Sequence, residues 1–318
     1  MPPDASLALP LPAFVQGRID RLALGLLQPR LDFSQPAGEP ALTSPDSLSW
    51  QIFKNSVALF VGGVAAVILE LAEPRVRTGV WEHSSFRREP LARLQRTGMA
   101  AMVTVYGAQS AARAMIAGVA RRHEQVRGHT PDGTAYHAND VELLDWVQAT
   151  ASFGFAQAYH HYVHPLRRDQ FDQFYQEAAP TAQLYGALGA PACVAQMEAM
   201  FAAMHGRLEA SAIVHEFLAI MHATPILPTA LRPIQGLLIR AAVQITPPQV
   251  RERLGLAAPS QGLNALQQRC VRAAGRTSER LLIRDGPAAQ ACRRLGLPED
   301  YLYRAGRAPR ARTAPATS

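Results

Sequence analysis

The chain is poor in most of the features that announce a biochemical class. It has three cysteines in 318 residues, Cys193, Cys270 and Cys292. They lie too far apart for a metal motif or a disulfide framework, a usage that suits a reducing compartment. No apolar run is long enough to span a bilayer. The longest, Val57 to Leu69, contains Gly62-Gly63 and reads as a buried core helix. The N-terminus lacks a basic stretch followed by an apolar run and a small-residue cleavage site, so the expected location is cytoplasmic, with no membrane span. There is no glycine-rich phosphate loop, no Gly-x-Ser-x-Gly elbow and no His-Glu-x-x-His zinc pattern.

Charge is scarce as well. Charged residues make up 18% against 48% hydrophobic, which excludes disorder for most of the chain and leaves ample material for a core. The net charge of +7 comes largely from arginine. Part of it falls on Arg304, Arg307, Arg310 and Arg312, among Ala, Pro, Gly and Thr, so residues 304–318 read as a basic disordered tail. No zinc spacing or aromatic platform accompanies the charge, and a nucleic-acid partner is not expected.

What remains is helical periodicity. Residues 1–45 form a Pro-rich N-terminal segment with one short helix around Gly17 to Leu27, and residues 46–303 a single all-α domain. Ser47 or Ser49 starts a helix that runs to about Ala72, where Glu73-Pro74 stops it. Gly79 to Phe86 reads as a connector rich in groups that can line a pocket. Pro90 opens a helix that Gly107 weakens, and a second begins around Gln109. In the latter, Ala112, Met115, Ile116, Val119, His123 and Val126 form one apolar stripe. Gly128 is a helix stop, His129 to Gly133 a turn, and Asn139-x-x-Glu142 resembles a capping box. Further helices are expected from about Asp169 (broken near Pro180), Pro191, Pro228, Pro247 and Leu263, the last segment loosely attached. No hairpin pattern is legible.

Two constellations carry chemistry. Arg93, Arg96 and Thr97 stand at i, i+3 and i+4, on one helix face, and His123 sits on the apolar stripe of the next helix. Haem needs cationic partners for two propionates, aliphatic walls and one strong axial ligand, and all three residue types are present. The same residues are compatible with a solvated arginine face and a packed core histidine. His160-His161-x-x-His164 is a rival metal cluster, but it lies at a helix end before Pro165, where the helix dipole explains it. His205, His215 and His222 lack ligand spacing. Glu70 and Glu73, one turn apart before a proline, read as the solvated rim of a helix end, and Asp169 and Asp172 as a helix N-terminus.

The order of motifs is more specific than any one of them. Gly79-Val80-x-x-His83-Ser84-x-Phe86 is followed by Pro90-x-x-Arg93-x-x-Arg96-Thr97, Gly107 and His123-x-x-Val126-x-Gly128. Then come Tyr136-x-Ala138-x-Asp140-x-x-Leu143-x-x-Trp146-Val147, Leu227-Pro228-x-x-Leu231-Arg232-Pro233 and Pro247-Pro248-x-Val250-Arg251-x-x-Leu254-Gly255-Leu256. Over roughly residues 50–256 this series resembles the family of bacterial rubber oxygenase (latex clearing protein) and the fungal oxygenase of mycophenolic-acid biosynthesis. The resemblance implies a globin-like core holding one haem b, and cleavage of carbon–carbon double bonds with dioxygen. It assigns His123 as the proximal iron ligand, and Arg93 and Thr97 as polar distal positions. Arg96 stands where rubber oxygenase has a lysine able to coordinate iron. Arginine is a poor iron ligand, so the expectation is an open or water-ligated distal side with Arg96 as donor. The family's acid/base glutamate is not placed by spacing; Glu82 and Glu73 are the nearest. Val57 to Leu69 with Met99, Met102 and Val103 is the expected apolar wall, the substrate being small, apolar and unsaturated. The redox partner stays open. The alternatives are a haem-binding sensor or carrier without turnover, and a haemless helical protein.

Overall fold

The computed structural model describes residues 31–304, together with residues 7–10, 12 and 17. Most of the helix expected around Gly17 to Leu27, and all but the first residue of the basic tail, lie outside the described residues. The described chain is helical almost throughout, as its periodicity implies. The helices are α1 (Leu48–Phe53), α2 (Ser56–Ala72), α3 (Pro74–His83), α4 (Pro90–Tyr106), α5 (Gln109–His123), α6 (Val141–Tyr162), α7 (Arg168–Leu184), α8 (Val194–Met204), α9 (Ala212–Ala223), α10 (Arg232–Ile245), α11 (Pro248–Arg253), α12 (Ala265–Glu279) and α13 (Pro287–Arg294). Between α5 and α6 lies one short hairpin, β1 (Arg127–His129) and β2 (Ala135–His137).

Ser47 caps α1 by accepting from Trp50 N–H, one of the two starts expected. The single long helix expected to follow is in fact two. Asn55 is fully buried and accepts from Val57 and Ala58 N–H, so it ends one helix and caps the next. Glu73 repeats the device: its carboxylate accepts from Val76 N–H at 2.8 Å, and Pro74 takes the first helical position. The expected connector at Gly79 to Phe86 is therefore mostly helix, because this cap outweighs the weak propensities of Gly79 and Thr78. Among the described residues no single helix is long and apolar enough to cross a membrane; α2 and α3 pass only as a pair, bent by 110°.

Helices α2 and α6 cross at the centre of the molecule. A Cβ on Gly62 would stand 2.8 Å from Phe155 Cα, and one on Gly154 would strike the Gly62 carbonyl oxygen. The glycines inside the apolar run are thus contact residues. Helices α10 and α12 close the same core. Gly275 of α12 lies against the Tyr162 carbonyl, so this helix too approaches at backbone distance.

The C-terminal segment is tied in rather than loose. The chain's one lysine, Lys54, is buried and pairs with Glu279 at 2.6 Å. Asn55 Nδ2 and Tyr159 Oη donate to the same carboxylate at 2.9 and 3.0 Å. Arg294 of α13 donates to the carbonyls of Phe33, Glu39 and Tyr106, which fixes the entering chain to the end of α4.

Three local expectations are corrected. The hairpin pairs Gly128 with Tyr136, and the phenol covers the glycine so closely that a Cβ there would lie 2.9 Å from its oxygen. Its strands are three residues each, too short for an alternating pattern to register. The capping box at Asn139 does not form: Asn139 Nδ2 donates to the Ala120 carbonyl, and Asp140 is the residue that precedes α6. Helix α7 continues through Pro180, since Phe174, Tyr175, Thr181 and Ala182 are buried on both sides of it and hold the helix across the lost hydrogen bond.

Candidate functional site

Helix α2 has two unlike faces. Val61, Val64, Ala65, Ile68, Leu69 and Ala72 are buried, whereas Phe60, Gly63, Val67 and Glu70, at i, i+3, i+7 and i+10, form a stripe that stays half-buried. Helices α4 and α5 are joined by Gly107-Ala108 and pack on each other. They carry similar stripes: Arg93, Ala100 and Thr104 on α4, and Met115, Val119 and His123 on α5. Backbone packing between α2 and this pair is slight. Met99, Met102 and Val103, expected to line the wall, instead face the core and are at most 5% exposed. The half-buried apolar side chains are their neighbours.

His123 is the last residue of α5, where the helix dipole favours a charged ring. Burial wins over the dipole and lowers its pKa, assisted by the nearby charges of Arg93, Arg122 and His137. The imidazole is therefore neutral near pH 7, and its ring makes no hydrogen bond to any described residue. A neutral ring with a free nitrogen is the form that binds a metal.

Arg93 and Thr97 act as a unit. The guanidinium donates to Thr97 Oγ1, which donates in turn to the Arg93 carbonyl at 2.9 Å. Burial draws the Arg93 pKa down and the carboxylate of Glu70 draws it back up. Arg96 does not join them: it is exposed, and its guanidinium donates to Ser85 Oγ at 2.7 Å in the loop before α4. Of the three side chains expected on one face, two are brought together.

Glu70 is the residue that sequence reasoning missed. Burial lifts its pKa to about 7, with Arg93 pulling the other way. Yet the side chain keeps accessible surface, and no described residue donates to it. The carboxylate therefore sits in crowded surroundings while part of the residue stays accessible. Glu70 and Arg93 feel each other's charge without forming an ion pair within 4.0 Å. Glu73 and Glu82, the carboxylates nearest by sequence, are engaged elsewhere. Glu73 caps α3 and pairs with Arg75 at 2.7 Å. Glu82 is exposed and accepts from Tyr136 Oη, which also meets His83 Nε2 at 3.2 Å.

The rival histidines are used locally. His160 Nδ1 accepts from Leu166 N–H, while His161 and His164 bond to nearby carbonyls. Among the described residues no group of three or more His, Cys, Asp or Glu is placed to hold a metal ion. That bears on metals held wholly by the protein; an iron carried in a macrocycle needs one axial side chain.

Residues 50–280 match the family model described as the catalytic domain of ER-bound oxygenase mpaB/B'/rubber oxygenase. No curated protein and no solved structure matches the chain. The matched segment holds the central α2–α6 crossing, the α4–α5 pair, His123, Arg93 and Glu70, and it is well over half of the sequence. The chain belongs to the mpaB/rubber oxygenase family and carries its oxygenase catalytic domain.

Proposed function

We propose that this protein is a haem b-dependent oxygenase that uses dioxygen to cleave or oxygenate a small, apolar, unsaturated substrate. The observation that carries the reading is His123: a half-buried imidazole whose pKa is lowered by burial and by the charge of Arg93, with no partner among the described residues. The residues present fit a b-type haem, with one nitrogen ligand, cationic donors and half-buried apolar stripes on three helices. The bound haem supplies the iron-centred oxygen chemistry, which the protein tunes rather than performs.

The side chains have separable tasks. His123 would hold the haem iron through its free ring nitrogen. Arg93, oriented by Thr97, offers N–H donors to a propionate or to the reacting oxygen atoms, and Arg96 is a further donor once released from Ser85. Glu70, with a pKa near 7, can give or take a proton at working pH, as a general acid or base must. Phe60 and Val67, half-buried and apolar on the same stripe as Glu70, would exclude water from the reacting double bond.

The test is oxygen uptake by haem-loaded protein on addition of a small alkene, with carbonyl products quantified. Glu70→Gln is expected to lower turnover by roughly 10²-fold or more and to abolish any titration near pH 7 in its rate profile. Uptake that is unchanged in this variant would remove Glu70 from the mechanism. The absence of uptake with every alkene tried would leave a haem-binding protein without turnover.

A further inference from the structure

His123 stands in the last turn of α5, where a helix leaves carbonyls without intrahelical partners and its backbone tends to fray. Here the turn is held from outside, by the segment that returns from β2 to α6. Asn139 Nδ2 donates to the Ala120 carbonyl at 3.2 Å, and Ala138 N–H to the Val126 carbonyl at 2.8 Å. His137 Nε2 lies 3.3 Å from the Glu124 carbonyl. A carbonyl only accepts, so this ring nitrogen carries the hydrogen. The three acceptors bracket His123, one lying before it and two after it, and its own carbonyl takes Val126 N–H at 3.0 Å.

The donors are themselves fixed. The Asp140 carboxylate accepts from His137 N–H at 3.0 Å, and Asp140 N–H returns to the His137 carbonyl at 2.9 Å. The Asp140 carbonyl then takes Leu143 and Leu144 N–H, so the clamp is continuous with α6, the helix that crosses α2 at the centre. An iron-ligating imidazole ordinarily has its ring fixed by an acceptor for its second N–H. The His123 ring has no hydrogen-bond partner among the described residues, so its direction follows from its backbone and its packing. The clamp governs the backbone.

We propose that His137 and Asn139 are positioning residues for His123. By holding the last turn of α5 to the start of α6, they set the direction in which the imidazole meets the haem iron. This rests on the reading of His123 as the axial ligand, whereas the clamp rests on the hydrogen bonds alone.

Two measurements on the full-length protein test it. Hydrogen–deuterium exchange before haemin is added reads the turn, and resonance Raman after haemin and dithionite reads the iron–histidine stretch. His137→Leu and Asn139→Leu each remove one donor, while His137→Gln keeps an N–H near the place of Nε2. In the leucine variants residues 120–126 are expected to exchange about fivefold faster. Their iron–histidine band should shift or broaden, and haemin should bind about tenfold more weakly. His137→Gln should match the wild type in all three respects. A merely structural role would lower stability and leave the band in place. An unmoved band in the leucine variants therefore overturns the proposal, even where exchange quickens. So does a His137→Gln protein whose band departs from the wild type, which decides the matter where a leucine variant does not fold. A wild-type protein that takes up no haemin, or shows no iron–histidine band, overturns the axial-ligand reading and this proposal with it.

Discussion

A carboxyl with a pKa near 7, a guanidinium and a neutral imidazole, contributed by three different helices, give this protein two opposed pH dependences. The pKa of Glu70 is raised from 4.5 to about 7, so the folded state prefers the protonated carboxyl. Its contribution is most favourable below pH 4.5 and is lost as pH rises through 7, a swing of about 3 kcal/mol at 1.36 kcal/mol per unit. Glu70→Gln should therefore stabilise the protein at pH 8 by up to that amount and leave it nearly unchanged at pH 4, as read by urea unfolding at both values. His123 works in the other direction, since its lowered pKa makes the folded state lose stability as pH falls below the ordinary histidine range. The Arg93–Thr97 contact was legible because helical spacing alone puts both residues on one face. Glu70 was not. Its neighbours in sequence, Glu73 and Pro74, make it look like a helix rim, and only the position of α2 relative to α4 places Arg93 within reach of its charge.

At the scale of elements, two contacts hold the helical core together. Where α2 crosses α6, Gly154→Ala would drive a methyl into the Gly62 carbonyl. A loss of about 1–3 kcal/mol is expected, measured as a lowered denaturation midpoint at unchanged slope. Where α12 closes the core, Glu279→Gln would leave Lys54 buried without its counter-charge. The expected cost is about 3–5 kcal/mol, and replacing both residues with apolar ones should recover most of it. Helix starts at Ser47 and Pro90 and the stop at Gly107 could be read from the chain, because caps and breakers act locally. Helix α3 could not, since a buried carboxylate from the preceding turn decides it. Helices α9 and α13 were not anticipated, although each has a local start signal: Ser211 caps α9 by accepting from Ile213 N–H, and Pro287 takes the first position of α13.

At the scale of the molecule, one core runs from α1 to the segment after α13, and the family match covers its greater part. The all-α class followed from composition and period, and the family from the order of its motifs. The exclusion of Arg96 from the Arg93–Thr97 pair followed from neither, because a long exposed side chain is placed by its nearest acceptor, here Ser85. The account turns on haem at His123. The most direct measurement is the ultraviolet–visible spectrum of the purified protein, before and after haemin and then dithionite, for wild type and His123→Ala. The account predicts a sharp Soret band that shifts on reduction in the wild type and is lost in the variant. A wild-type spectrum that haemin does not change, or full haem occupancy in His123→Ala, would contradict it.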